Sequence, residues 1–258
     1  ASLGLREPLI SAQTIFRPNL ALSCERRAGS GVAELSRLRS ELARYAGQGG
    51  ARAVPSTIVY APTQATVESV GQYLGQDPAL DGMVEIYHGG LAPAARTTAH
   101  ERFLSGAAPI VAATVAFGMG IDKPDIRRVY HFGAPKTVEE YYQQIGRAGR
   151  DGNLSSCVLM ATDSDFSRYK SDFYLGGLSA DGRSAVEGSI DLLRQYHGYR
   201  QMCRWTQLGR IFGEQPDIGH CGKCDVCTAS ADDLIERNYA AEVKLLLLGL
   251  RTLGRKAP

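Results

Sequence analysis

Nowhere in the 258 residues is there a G-x-x-x-x-G-K-[ST] phosphate loop or an acidic D-E-x-H box. This stretch therefore lacks the backbone cradle and the carboxylates with which phosphate-loop proteins hold β- and γ-phosphates and Mg²⁺. A strong charge of either sign is lacking too. With 29 basic against 27 acidic residues the balance is +2, so attraction to a polyanion has to come from local patches, such as Arg194, Arg200, Arg204 and Arg210, rather than from an overall field. The longest apolar run, Val243 to Leu250, contains Lys244 and falls far short of the roughly 20 residues that cross a bilayer. The amino terminus also lacks the charged-then-apolar layout of a signal peptide. A soluble, intracellular protein with no membrane partner is the expectation. Cysteine is scarce outside one cluster: of six, Cys24 and Cys157 stand alone and the other four have metal-type spacing, which fits a reducing compartment better than a disulfide framework.

What is present is enough apolar sequence, 44%, to bury the core of one medium domain and a smaller one. Residues 1–30 read as irregular, and from there helix and strand patterns alternate. Helices are predicted over 32–46, 64–75 and 93–105, with a glycine-rich loop at Gly47–Gly50. Strands are predicted at Ser56–Tyr60, Val84–Tyr87 and Ile110–Thr114, the last ending on a Gly118-Met-Gly120 turn. Two more, Arg128–His131 and Cys157–Ala161, flank a helix that runs into Arg147. Such alternation builds a parallel sheet of five or six strands with helices on both faces. Beyond Thr162 the text becomes helical and richer in arginine and aromatics, and apolar residues at helical spacing (Leu234, Tyr239, Val243, Leu246, Leu250) predict a final amphipathic helix over Asp232–Arg255.

Two segments carry the chemistry, Ala113-Thr-Val-Ala-Phe-Gly-Met-Gly-Ile-Asp-Lys-Pro-Asp125 and Gln143-Gln-Ile-Gly-Arg-Ala-Gly-Arg-Asp-Gly152. The second sets Arg147 and Arg150 three residues apart between glycines. Planar guanidinium forks that cannot lose their proton are suited to the spread negative charge of a transferring phosphoryl group; the alternative is a pair of solvated helix-end charges. In the first segment Thr114 and the open amides of the glycine turn suit a nucleic-acid phosphate, and Asp122 suits a ribose hydroxyl. A tight strand-to-helix turn capped by Asp122 is the plainer reading. Further on, Cys203-x17-Cys221-x2-Cys224-x2-Cys227 offers four thiolates. They would close a tetrahedral Zn²⁺ site with no open position, which makes it structural; disulfides are the competing reading, and His220 is a possible substitute ligand. Cys203 is placed on a helix over Arg200–Ile211.

The two segments closely resemble the last two motor motifs of the RecQ family of DNA helicases. Thr14-Ile-Phe-Arg-Pro-Asn-Leu20 is similar to the family's F-x-R-P-N-L run leading into the second motor domain, and Cys224-Asp-Val-Cys227 to its zinc-region text. Tyr87-His-Gly-Gly-Leu91 and Ile58-Val-Tyr-Ala-Pro-Thr-Gln64 resemble the remaining second-domain motifs, except that Ala61, Thr63 and Gln64 replace the usual cysteine, serine and arginine. Gly133-Ala-Pro-Lys136, Ile145 and Ser155-Ser-Cys157 lean toward Werner-type eukaryotic members.

The resemblance implies a RecA-like α/β domain over 31–162, preceded by a lead-in segment (1–30) from a first motor domain absent here. A mostly helical zinc-binding domain (163–233) and the start of a winged helix (234–258) would follow. By the same resemblance Arg150 is the arginine finger, Arg147 a second γ-phosphate contact, and Gln143 a coupler of nucleotide to DNA. Asp122 and Gly120 join the arginines at the nucleotide, and Thr63, His88, Thr114 and Gly118 touch DNA; His88 taken alone is more often structural. The implied function is the carboxy-terminal half of the motor core of an ATP-dependent 3′–5′ DNA helicase. It would act on single-stranded and branched DNA in recombination, replication or repair, in the nucleus if eukaryotic, with repair proteins as partners. ATP and Mg²⁺ would bind the full-length enzyme, and this stretch alone would lack ATPase. A DNA- or partner-binding module without turnover is the other class that stays open.

Overall fold

A computed structural model describes residues 14–29, 31–118, 121–214 and 219–229. The expected terminal helix and winged-helix start, and Gly120 of the glycine turn, lie outside the described residues. Ala1–Cys227 forms one compact unit and Thr228–Pro258 a second.

In the first unit, six parallel strands are ordered β1-β6-β5-β2-β4-β3, namely β1 Leu20–Arg26, β2 Thr57–Tyr60, β3 Val84–Tyr87, β4 Ile110–Ala113, β5 Arg128–Phe132 and β6 Ser155–Ala161. The central strands Thr57-Ile-Val-Tyr60 and Ile110-Val-Ala-Ala113 are buried at every position, as strands covered on both faces must be. Side chains alternate between two layers. Val59, Ala112, Phe132, Val158 and Met160 face helices α1 (Ser36–Gly49) and α2 (Gln64–Gly75). Ile58, Tyr60, Val111, Val129 and Leu159 face α3 (Pro93–Ser105) and α4 (Val138–Ile145).

Local sequence explains where these helices start and stop. Thr63 and Thr137 cap α2 and α4, accepting from the amides of Thr66 and Glu140. Pro93 opens α3, and Gly106 closes it at φ +77°. One prediction needs correcting here: the glycines at 47–49 are helical, because Leu38, Leu42 and Ala46 bury one face of α1 through its last turn and the chain leaves the helix only at Gly50, φ +63°.

A second correction concerns residues 1–30, since Leu20–Arg26 is the edge strand β1, pairing in register with β6 from Leu20↔Ser155 to Arg26↔Ala161. Small residues on alternate positions (Ala21, Ser23) blunt its hydrophobic pattern, and only the sheet partner makes it a strand. Residues between β6 and Cys227 cover it. After β6 come α5 (Asp163–Arg168), α6 (Asp172–Leu175), α7 (Ala180–Gly198) and α8 (Arg204–Ile211). From these and the cysteine loop, Trp205 Nε1 donates to Leu20 O at 3.1 Å, Asp225 N to Leu22 O at 3.0 Å and Arg200 Nη2 to Cys24 O at 3.0 Å, while Asp225 Oδ2 accepts from Cys24 N at 3.1 Å. An open sheet edge is a template for unwanted pairing, and here its polar groups are satisfied by side chains and one amide. Ile190, Leu193, Tyr196, Trp205 and Cys224 belong to the same buried cluster as Leu20, Leu22 and Leu159. The change of composition at Thr162 thus marks a change of secondary structure within one compact unit.

Candidate nucleotide and DNA site

Ligands of open parallel sheets lie beyond the carboxyl ends of the strands. At that edge β2, β4 and β3 are neighbours, which brings Thr63, Thr114 and His88 onto adjacent loops. Ala61 N donates to Ala113 O at 2.9 Å, and Thr114 N to Tyr87 O at 3.1 Å, tying the three loops together. Thr114 is half-buried beside an exposed Val115. The Thr63 hydroxyl shares a 2.8 Å bond with Thr66 Oγ1 besides capping α2. His88 is buried, its Nδ1 accepting from Gly90 N at 3.2 Å and its Nε2 lying 3.3 Å from Glu68 Oε1. Both ring nitrogens are turned to protein groups, so this histidine shapes the turn after β3.

The arginine segment leaves α4 and runs beside the loop that joins β4 to β5. Arg147 Nη1 donates to Gly118 O, and Arg150 Nη1 donates to Ile121 O and Asp122 Oδ1, each at 3.0 Å. Main-chain bonds from Gly149 N to Ile126 O, 2.9 Å, and from Asp151 N to Pro124 O, 3.3 Å, complete the pairing. Four of the predicted nucleotide and DNA residues, Gly118, Asp122, Arg147 and Arg150, therefore meet on two loops zipped side by side. Arg147 also faces the buried phenol of Tyr60, whose pKa burial pushes up to about 12 against the pull of that guanidinium. Gln143 is on the exposed face of α4. Its neighbour Gln144 is buried and holds His131, Nε2 to Oε1 2.7 Å.

Burial depresses the His131 pKa from 6.5 to about 4. The unfolded ring takes up its proton near 6.5 and the folded one only near 4, so the stabilisation is complete above 6.5 and is lost as pH falls toward 4. His197, also lowered chiefly by burial, adds to the same slope. The urea midpoint is expected to be lower at pH 5 than at pH 7, with a smaller difference in His131→Asn; identical midpoints would overturn this reading.

Sequence reasoning missed Arg17 and Asn19. Arg17 Nη2 donates to Ala148 O (3.2 Å) and Gly149 O (2.8 Å), and Asn19 Nδ2 to Gly149 O (2.8 Å) and Asn153 O (3.0 Å). The Phe-Arg-Pro-Asn run was the available signal, but nothing in it shows which loop it grips. On the other side of the same loop Arg127 pairs with Asp151 and holds its carboxyl down at about 2.

The cysteine loop is a separate centre. The Sγ atoms of Cys203, Cys221, Cys224 and Cys227 all lie within 4.8 Å of one another, and a tetrahedral Zn²⁺ with Zn–S of about 2.3 Å needs sulfur pairs about 3.8 Å apart. Amides of Arg204 and Cys227 donate to Cys224 Sγ at 3.5 and 3.4 Å, and Cys224 N donates to Cys221 Sγ at 3.4 Å. Burial raises the Cys203 thiol, yet the amides of Thr206, Cys221 and Trp205 aimed at its sulfur outweigh it and bring its pKa down to about 7. Four converging thiols with amide-stabilised sulfur can hold a soft divalent metal. Cys203 precedes α8 as its N-cap instead of lying within the helix, because α8 starts at Arg204. Arg204 also leaves the expected basic patch: its side chain is fully buried and pairs with Asp225, Nε to Oδ1 2.8 Å.

The helicase conserved C-terminal domain family matches residues 38–152, which span both zipped loops. Over 164 residues, 64% of this chain, it is 44% identical to the mouse (Mus musculus) bifunctional 3′-5′ exonuclease/ATP-dependent helicase WRN. It is 34% identical over 214 residues to the ATP-dependent DNA helicase hus2/rqh1 of Schizosaccharomyces pombe, and 31% identical over 245 residues to the ATP-dependent helicase SGS1 of Saccharomyces cerevisiae, covering 81% and 93% of this chain. The chain belongs to the RecQ family of helicases. It spans 11%, 16% and 16% of those three relatives. The fold of this RecQ chain is shared with the yeast DEAD-box splicing factor Prp28, at a TM-score of 0.50 and 20% identity over 70% of this chain and 39% of that one. This is the RecA-like fold of helicase C-terminal domains.

Proposed function

We propose that this chain is the carboxy-terminal half of the motor core of an ATP-dependent 3′–5′ DNA helicase acting in DNA recombination, replication or repair. The observation that carries the reading is the pair of zipped loops, which brings together the half-buried Arg147 guanidinium, bonded to Gly118 O, and the Arg150 guanidinium, paired with the exposed Asp122 carboxylate. Arg150 serves as the arginine finger, Arg147 as a second γ-phosphate contact, and Asp122 with Gly120 meets the nucleoside. Gln143 relays between nucleotide and DNA, and Thr63, Thr114 and Gly118 hold the DNA backbone beyond the carboxyl ends of β2 and β4. His88 supports that edge from beneath. The phosphate-binding loop and Mg²⁺ ligands come from a partnering RecA-like half, so that the nucleotide lies between the two. A binding module without turnover has no use for two arginines held in this way.

Unwinding assays on the full-length protein test the reading. ATP-dependent separation of a duplex with a 3′ tail, and not of one with a 5′ tail, is expected; separation of neither would sink it.

The four cysteines are proposed to hold a structural Zn²⁺, and the site lies under the edge of the sheet. Trp205, two residues from Cys203, is the one tryptophan of the sequence and is 1% exposed, so its emission reports directly on this region. Chelation is expected to shift that emission to the red and lower the melting temperature, with recovery on adding Zn²⁺. Unchanged emission and melting after verified removal of the metal would contradict the assignment.

A further inference from the structure

Between the two arginines, the carbonyls of Ala148 and Gly149 are gripped by side chains of the segment that leads into β1. Arg17 Nη2 bonds Ala148 O and Gly149 O at once, and Asn19 Nδ2 bonds Gly149 O and Asn153 O, all between 2.8 and 3.2 Å, while Gly149 O also accepts from Gly152 N at 3.0 Å. Gly149 sits at φ +54°, and a methyl group there would lie 2.8 Å from both Asn153 O and Ser155 Oγ. The loop thus adopts a conformation only glycine accepts readily, and the side chains of residues 17 and 19 hold it there. Their own backbone is anchored in turn. Ser155 N donates to Asn19 O at 2.9 Å, Lys223 Nζ to Pro18 O at 2.8 Å, Tyr142 Oη to Ile15 O at 3.1 Å, and Ile15 N to Glu214 Oε1 at 2.8 Å. Phe16 packs edge-on against Trp205 with ring centroids 5.5 Å apart.

We propose that Arg17 and Asn19 are positioning residues for the arginine pair. By fixing the carbonyls of Ala148 and Gly149 they set the direction in which Arg147 and Arg150 leave the backbone. This rests on the reading of Arg150 as the finger. A bond to a guanidinium carries charge assistance, and a single Nη2 group donating to two successive carbonyls ties both of them to one atom of a planar, rigid head. Such restraint acts where orientation limits the rate, since misplacing a group by about 1 Å costs on the order of 10²-fold. It is expected to have little effect on the affinity for nucleotide or DNA, because the side-chain bonds of both residues go to main-chain carbonyls of the loop itself.

The test is steady-state DNA-stimulated ATP hydrolysis by the full-length protein carrying Arg17→Ala, Arg17→Lys, Asn19→Ala or, as the reference, Arg150→Ala. Arg17→Ala is expected to lower kcat by about 10- to 100-fold with KM for ATP and the Kd for DNA within about twofold. Asn19→Ala should act in the same direction but less, and Arg17→Lys, which keeps the charge but reaches one carbonyl, should recover part of the loss. Should Arg17→Ala fail to fold, the lysine and asparagine variants carry the comparison. If Arg150→Ala abolishes turnover while these variants keep wild-type kcat, or lose affinity and melting temperature in proportion to kcat, positioning is refuted and the finger stands. If Arg150→Ala itself turns over normally, the finger assignment fails and the positioning role with it.

Discussion

In the full-length protein, Arg150→Ala is expected to lower DNA-stimulated ATP turnover by about 10³-fold or more, the range found for arginine fingers in phosphoryl transfer, with DNA binding nearly unchanged. The geometry supports an effect on the chemical step. Arg150 is held by Ile121 O and by Asp122, both at 3.0 Å, but the Asp122 side chain is 90% exposed and that of Arg150 39%. An ion pair so open to water contributes little, so the fork is free to exchange the carboxylate for a phosphate oxygen when a nucleotide arrives. Inside a closed, water-poor cleft the same charge acts with a far larger effect on an anionic transition state than it has at the open surface. Lysine in its place should rescue poorly, since a point charge cannot meet two oxygens as a fork does. Turnover and DNA affinity measured side by side decide the matter: turnover within about threefold of wild type would remove Arg150 from the reaction.

Asp225→Ala is expected to destabilise the compact unit by about 3–5 kcal/mol, the cost of stranding a buried charge. Asp225 receives both Nε and Nη2 of Arg204 at 2.8 Å, and Arg204 is wholly buried, its Nη1 donating to Tyr196 O and Tyr199 O. The same carboxylate accepts from Cys24 N, and the Asp225 amide donates to Leu22 O. Removing it therefore leaves a guanidinium without its counter-charge and opens the edge of β1. The pairing holds the Asp225 pKa down and the Arg204 pKa up even against the cost of burial. Chemical denaturation, followed by Trp205 emission and by far-ultraviolet circular dichroism, should show one transition displaced in both signals. A loss confined to the tryptophan signal, with the sheet unmoved, would mean that the cysteine region unfolds alone. Double replacement of Arg204 and Asp225 by apolar residues should cost less than Asp225→Ala, because the unpaired charge is what is expensive.

How far the site could be read in advance depended on whether its residues are neighbours in the chain. Arg147 and Arg150 could be singled out because arginines between glycines at fixed spacing suit a phosphate, their separate roles coming from the family resemblance, and the C-x2-C-x2-C run was legible because four-thiolate metal sites have so few spacings. Thr114 was singled out for its position at a strand end, which alternation along the chain predicts, and Thr63 by the resemblance of its segment to a family motif. Arg17 and Asn19 were not found: their partners are the carbonyls of residues 148, 149 and 153, and a main-chain carbonyl leaves no mark in a sequence. Arg204 was misplaced for a related reason. An arginine among others reads as surface charge, and only the approach of Asp225 under the sheet edge makes its burial tolerable.

By itself, then, the sequence determined the strand and helix periodicity of a RecA-like sheet, the arginine pair and the four thiols, since each depends on residue type and local spacing. The tertiary structure alone decided that Leu20–Arg26 is the edge strand of the sheet, that the cysteine region closes that edge, and that the segment before it clamps the arginine loop. All three rest on hydrogen bonds between residues more than a hundred positions apart, and the chemistry of such a bond exists only once the fold has brought donor and acceptor together.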